Sequence, residues 1–297
     1  MAMGEGEDIF SASQGAAIRQ PRYSCVMADG PEFGRQTLVW AWTLIDLGQV
    51  TPDRLVVWSL SPPASPERQA LHRLGIETRS IQPFAPGFPH CNKLQQLLDD
   101  RFTGNAVTIF TDTDMAFVKP IDDLAQGSNI VAKVVDLPHP PLDMWRQILE
   151  TAGLPSPDRL MPTSLGQHTT PIINRNGGLY VLPGTAIAAL REPWPRWAHW
   201  LMRRPDLLPG GYGVHVDQIS FGMAVLERHL AIDDLPLAAN CPTHVPGLVP
   251  DVSPRVLHYH RSVDRDGFLL PVGRPGIDAA ILTVNEVIRR RQSGGAR

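Results

Sequence analysis

From Arg22 onward the chain alternates short apolar runs with segments of helical periodicity, and that order limits the folds open to it. Tyr23–Ala28 (YSCVMA) is halted by Asp29-Gly30-Pro31 and reads as a buried strand ending in a turn. Glu32–Leu47 spaces Phe33, Leu38, Trp40, Ala41, Leu44 and Ile45 as a helix does, and Gly48 closes it. Leu55–Leu60 predicts a second strand, Pro66–Leu74 a short helix, and Ile76–Ile81 a third strand. Asn92–Phe102 predicts another helix before the strand Ala106–Thr111 (AVTIFT). Such alternation argues for an α/β fold whose mainly parallel central sheet is flanked by helices. Sheets of this kind take ligands at the carboxyl ends of their strands.

Beyond Thr111 the pattern loosens. Strands are expected at Asn129–Val135, Gly178–Leu182 and Val256–Tyr259. Helices are expected at Asp143–Ala152, Ala186–Arg204 (broken near Pro193 and Pro195), Val216–His229 and Asp278–Arg291. Pro155–Pro171 reads as a long loop. No repeat or linker divides the chain, so one domain over 21–292 is expected between a polar arm, 1–20, and a short tail, 293–297.

Composition narrows the function classes. With 43% apolar and 19% charged residues, the chain of 297 can bury a sizeable core, which excludes disorder for its body. A net charge of −3 removes any general pull toward nucleic acid or anionic lipid. No apolar run reaches the roughly 20 residues that span a bilayer, and the acidic start MAMGEGEDIF lacks the order of a signal peptide. A cytoplasmic location is expected. Three widely spaced cysteines suggest neither a disulfide framework nor a zinc cluster.

Thr108–Pro120 (TIFTDTDMAFVKP) carries the most chemistry. Side chains at i and i+2 of an extended chain share a side, so Asp112 and Asp114 are expected to project together at a strand's carboxyl end. Two such carboxylates repel unless a cation lies between them. Mg²⁺-type ions commonly take one or two carboxylates plus ligand phosphates. Asn176-Gly177-Gly178 precedes a buried strand and lets a ligand approach the backbone. Asp217-Gln218 opens an apolar helix, and His258-Tyr259-His260 follows a short strand. Each segment also has a plain structural reading as a turn, a helix terminus or a solvated imidazole pair.

In this order the segments resemble the GT-A-fold glycosyltransferases, which move a sugar from a nucleotide diphosphate. In motif they are most similar to the family of glycogenin and bacterial lipopolysaccharide galactosyltransferases. The resemblance spans about 22–262 and rests on Ala28-Asp29, Asn92-Lys93-Leu94, DTD, NGG, DQ and His258. It implies a GT-A (Rossmann-like) domain, with Ala28, Asp29 and Arg35 near the nucleotide. Lys93, Asp112, Thr113, Asn176, Gly177, Gly178 and Arg261 would bind the donor. It further implies Mn²⁺ (or Mg²⁺) on Asp112, Asp114 and His258, with His260 as a substitute, and Asp217 and Gln218 at the donor sugar as catalytic residues. The partners implied are a nucleotide-sugar donor, a UDP-sugar by family default, and an acceptor that the sequence does not identify.

The run HYHRSVDRDGFLL departs from that family by lacking the Lys-Pro-Trp segment after the histidine, and Arg261 or Arg265 is the available positive charge. A phosphohydrolase of the haloacid-dehalogenase type would place DxDx[TV] near the chain's start, whereas DTDMA follows three expected strands. A sugar-nucleotide nucleotidyltransferase would carry a basic Gly-rich loop where MADGPEFGR stands. A non-catalytic nucleotide-sugar or carbohydrate-binding protein is the non-enzyme alternative. Oligomeric state, anomeric stereochemistry and the donor's base and sugar stay open at this level.

Overall fold

A computed structural model describes residues 20–157, 159–166 and 168–294. Most of the expected arm and the last residues of the expected tail lie outside that range.

The first half runs β1 (Arg22–Met27), α1 (Pro31–Asp46), β2 (Leu55–Ser59), α2 (Pro66–Arg73), β3 (Glu77–Ser80), β4 (Val107–Thr111) and β5 (Met115–Phe117). It continues with β6 (Ile130–Val134), α3 (Leu142–Ala152), β7 (Leu160–Pro162), β8 (Thr169–Pro171) and β9 (Arg175–Pro183). The remainder is α4 (Gly184–Leu190), α5 (Pro193–Met202), α6 (Val216–Glu227), β10 (Ile232–Asp234), β11 (Cys241–Pro242), β12 (Val256–His258) and α7 (Pro275–Gly294).

A seven-stranded sheet of order β10-β6-β9-β4-β1-β2-β3 forms the centre. The pairs β1–β2, β1–β4, β2–β3 and β6–β10 are parallel, whereas β9 runs against both β4 and β6. Strand alternation sorts the apolar residues by face. Tyr23, Cys25, Ile109, Leu179 and Val181 pack with Trp40 and Leu44 of α1 on one side. Trp58, Phe110 and Tyr180 pack with Trp194 and Phe221 on the other. With both faces covered, β2 and β4 are buried along their whole length, which explains their continuous apolar runs.

Several expectations change in detail. The helix expected at Asn92–Phe102 is instead 3₁₀, over Pro89–Leu98 and Asp100–Phe102. Asp99 is extended between the two runs, and its carboxylate accepts the Arg101 backbone N–H, so the helix cannot run through. The long loop contains the β7–β8 hairpin. The helix expected at Ala186–Arg204 is two helices that meet before Pro193, and the terminal helix continues to Gly294. No helix among the described residues is long and apolar enough to cross a membrane.

A second sheet, β11-β12-β5, turns this scaffold into a site. Antiparallel pairing sets Met115 opposite His258, and the Tyr259 N–H donates to the Asp114 carbonyl at 3.0 Å. Parallel pairing of β11 with β12 sets Pro242 beside His258, which brings Asn240 within reach of the same imidazole. In the main sheet Thr111 pairs with Leu179, and the Asp112 N–H donates to the Gly178 carbonyl at 2.9 Å. Residues far apart in sequence therefore meet where β4 ends.

Candidate active site

A cleft of about 690 Å³ opens at the carboxyl ends of β1 and β4. Its lining includes Ala28, Lys93, Asp112, Asp114, His260 and Arg261. On one side Lys93, almost buried on the 3₁₀ run, is a three-way junction. Its ammonium meets Asp112 at 2.8 Å, Asp217 at 2.9 Å and the Gly177 carbonyl at 3.0 Å. An ammonium has three protons to donate, so the protein itself satisfies them all. Burial pulls the Lys93 pKa down, but Asp112 and Asp217 outweigh it and hold the amine well above the ordinary lysine range. Asp217 lies in the first turn of α6 and is buried, and its carbonyl accepts from Trp194 Nε1 at 2.8 Å.

On the other side Asp114 faces two imidazoles. His258 Nε2 is 3.6 Å from Asp114 Oδ1, and His260 Nδ1 is 3.8 Å from Oδ2. Burial raises the Asp114 pKa, but His258 and then His260 dominate and hold the carboxyl well below its usual range. His260 sits at φ 49°, a left-handed conformation uncommon for a side-chain-bearing residue. The turn lays its ring on that of His258, 4.2 Å between centroids. Strand alternation alone does not account for this pairing.

The DTD segment therefore divides. Thr113 and Asp114 occupy a turn rather than an extended strand, and the two carboxylates take different partners. Asp114, His258 and His260 place their ligand atoms within 4.8 Å of one another, and Asp112 lies outside that convergent group. The Asp114 Oδ1 and His258 Nε2 atoms are buried and have no hydrogen-bond partner. Ligand–metal bonds near 2.1 Å would let one ion satisfy two atoms up to about 4 Å apart. The donor set fits a divalent cation.

The glycines are explained by close approach. A Cβ on Gly177 would meet Lys93 Nζ at 3.2 Å and Asp217 Oδ2 at 3.3 Å. On Gly178 it would overlap His258 Cε1 at 2.6 Å and Nδ1 at 2.9 Å. Gly178→Ala is thus expected to displace His258 and to cost about 1–3 kcal/mol, the usual range for overpacking. It should also weaken metal binding. Thermal melts and Mn²⁺ titration would check this, and an unchanged Mn²⁺ affinity would contradict it.

The remaining sequence candidates fall at varied distances from the chemistry. Asn176 is engaged on both ends of its amide, and Gln218 accepts the Gly177 N–H at 3.3 Å while donating to the His139 carbonyl at 3.0 Å. Asp29 is exposed and accepts from Ser61 Oγ at 3.1 Å. Arg261 is 86% exposed at the cleft mouth, 3.6 Å from Glu32. Arg35 is exposed on α1 and is not among the residues lining the cleft. Sequence reasoning missed Gln36, which accepts from Thr113 Oγ1 at 3.1 Å and donates to the His260 carbonyl at 3.3 Å. It also missed His244, whose ring lies 3.8 Å from that of His260, and Asn240. None of the three has a local motif to mark it.

Comparison with known proteins bears on this geometry. A family model described as the Rhodobacterales glycosyltransferase domain matches residues 35–228, a span that holds Lys93, Asp112, Asp114 and Asp217 and ends before His258. The fold is similar to that of the galactosyltransferase LgtC in complex with donor and acceptor sugar analogues. The identity is 12%, over 89% of this chain and 95% of that one, with a TM-score of 0.53. It is also similar to the glycosyltransferase GlyE of Streptococcus pneumoniae TIGR4, at 12% identity and a TM-score of 0.52, over 92% of this chain and 65% of that one. No curated protein matches the sequence.

Proposed function

The chain belongs to the Rhodobacterales glycosyltransferase domain family and has the GT-A fold, and on that footing we propose that its cleft binds a nucleoside-diphosphate sugar, a UDP-sugar, with a divalent cation, and transfers the sugar to an acceptor hydroxyl. The observation that carries this reading is the pair of orphaned, buried atoms at the cleft, Asp114 Oδ1 and His258 Nε2, with His260 beside them. Asp114, His258 and His260 would hold the cation, and two imidazoles in the set favour Mn²⁺ over Mg²⁺. When bound, the cation supplies neutralisation of the charge that develops on the departing diphosphate.

The chain's own residues do the rest. Gly177 and Gly178 leave room for Lys93, Asp217 and His258 to pack against the strand backbone, where a Cβ would strike them. Lys93 holds Asp217 and Asp112 at fixed positions on either side of its ammonium. Asp217 is then the carboxylate offered to the anomeric carbon, stabilising the positive charge that grows there or taking the acceptor proton. Gln218 and Asn176 border the sugar with amides already fixed in orientation by the backbone. Arg261, free at the mouth apart from Glu32, is placed to reach donor phosphates.

A donor that binds only the folded state raises stability by mass action, about 2.7 kcal/mol at 100 times its Kd. UDP-sugars are expected to raise the melting temperature with Mn²⁺ present and to lose that effect in EDTA. Slow Mn²⁺-dependent hydrolysis of the same donor should accompany it. Equal stabilisation in EDTA would remove the metal from the reading. A panel of nucleotide sugars that stabilises nothing, with or without Mn²⁺, would remove the donor.

A further inference from the structure

Behind the imidazole of His258 lies a largely buried chain of polar groups whose hydrogen-bond directions follow from one another. It begins with Lys133, 1% exposed, whose ammonium donates to Asp136 Oδ1 at 2.6 Å and to the Asn240 carbonyl at 2.8 Å. Ser164 Oγ donates to the same carboxylate oxygen at 2.6 Å. The other oxygen, Asp136 Oδ2, faces the Asn176 side chain at 3.1 Å. A carboxylate only accepts, so Asn176 must present its NH₂ group there. At its other end Asn176 faces the Gly178 N–H at 2.9 Å, and a backbone N–H only donates, so that end must be Oδ1.

The same Asn176 Oδ1 lies 3.0 Å from the side chain of Asn240. Asn240 therefore turns its own NH₂ toward Asn176 and its Oδ1 toward His258, whose Nδ1 is 3.2 Å away. An amide oxygen facing a ring nitrogen requires that nitrogen to carry the proton. Nδ1–H leaves the lone pair on Nε2, the atom that faces Asp114 Oδ1 at 3.6 Å with no hydrogen-bond partner. The Asn176 amide is fixed at both ends by groups with a single polarity, and Asn240 takes its orientation from Asn176.

We propose that Asn240 is a positioning residue of the metal centre: with Asn176, Asp136 and Lys133 behind it, it locks His258 as the Nδ1–H tautomer and presents Nε2 to the cation. The proposal rests on the reading of Asp114 and His258 as metal ligands. Outer partners of this kind set the ring orientation and the tautomer of a ligating histidine, and losing one typically lowers metal affinity 10–100-fold. The chain also explains why a lysine and an aspartate are buried at this depth. They are fixed poles from which the direction of each later hydrogen bond follows.

Two measurements test it. In metal-free protein with the imidazole in its neutral form, ¹⁵N NMR of His258 should show a protonated Nδ1 and an unprotonated Nε2. The opposite tautomer in the wild type overturns the proposal whatever the metal does. Mn²⁺ titration should then find Asn240→Ala 10–100-fold weaker than wild type, with its His258 shifted toward Nε2–H. Asn240→Asp keeps an acceptor oxygen against Nδ1 and should hold the tautomer and bind Mn²⁺ more tightly than Asn240→Ala, even if either variant is less stable. Wild-type affinity in Asn240→Ala, with Asp114→Asn unable to bind, overturns the positioning role and leaves the metal centre standing. Absence of Mn²⁺ binding in the wild type overturns the metal reading, and with it the role of Asn240 toward a cation, while the tautomer still reports on the hydrogen-bond chain.

Discussion

Asp217→Asn is expected to lower kcat by about 10²–10⁴, the range for a positioned acid–base or charge-stabilising carboxylate, while donor binding changes little. Asp217 is buried at the start of α6 and 2.9 Å from Lys93. The substitution is nearly isosteric, and Lys93 retains Asp112 and the Gly177 carbonyl, so the cleft should keep its shape. What goes is a negative charge that matters most when positive charge builds at the anomeric carbon. An interaction made mainly in the transition state lowers kcat without raising the dissociation constant. Asp114→Asn should behave differently, because it removes charge from the cation group, and donor affinity and turnover should fall together. Calorimetry of UDP-sugar binding beside steady-state rates separates the two patterns. If Asp217 only favours the helix N-terminus, it is worth about 0.3–1 kcal/mol of stability and nothing in turnover. Near wild-type turnover in Asp217→Asn would falsify the assignment.

Lys93→Met is expected to cost about 3–5 kcal/mol of folding stability, the range for breaking a buried ion pair by removing one partner. Of its two carboxylates, Asp217 carries most of that cost. Its side chain is 7% exposed, whereas that of Asp112 is 36% exposed and can turn to water. The double variant Lys93→Met with Asp217→Asn should therefore recover much of the loss, because no isolated buried charge remains. Lys93→Arg is not a conservative control: a planar guanidinium cannot serve three acceptors arranged around a single ammonium. Urea unfolding of the three variants would decide it. A loss below about 1 kcal/mol in Lys93→Met is what a solvent-exposed pair gives, and it would contradict a buried three-way junction at Lys93.

Part of the candidate cleft was legible in the order of short segments, whereas Asp29, Arg35, Asn176, Gly177, Gly178, Asp217, Gln218 and His258 are not among its lining residues. Ala28, Lys93, Asp112, Asp114 and Arg261 all line one cleft, although no two of the segments that carry them share a motif longer than a few residues. Continuous apolar runs located β1, β2 and β4, which are covered on both faces, and helical spacing of apolar residues located α1. It located the Asn92 segment but not its form. A 3₁₀ run carries Lys93 inward, and the break at Asp99 comes from a side-chain bond that no periodicity reveals. The short strands β5 and β11 were invisible for a similar reason. They become strands through pairing with β12, a contact that no local pattern records.

The amino-acid order by itself determined the α/β layering, the placement of DTD at the end of a buried strand, and the set of residue types available for cation and donor chemistry. Only the tertiary structure decided how those residues are shared out. The register of β5 against β12 gives Asp114 to His258, and the left-handed turn at His260 adds a second imidazole. The inward 3₁₀ run gives Asp112 to Lys93. Spacing along a chain says which side chains share a face of one element, whereas a cation or a buried ammonium is satisfied by atoms converging from several elements. That convergence depends on strand register and on packing between separate elements, some of them more than a hundred positions apart, and no local pattern records it.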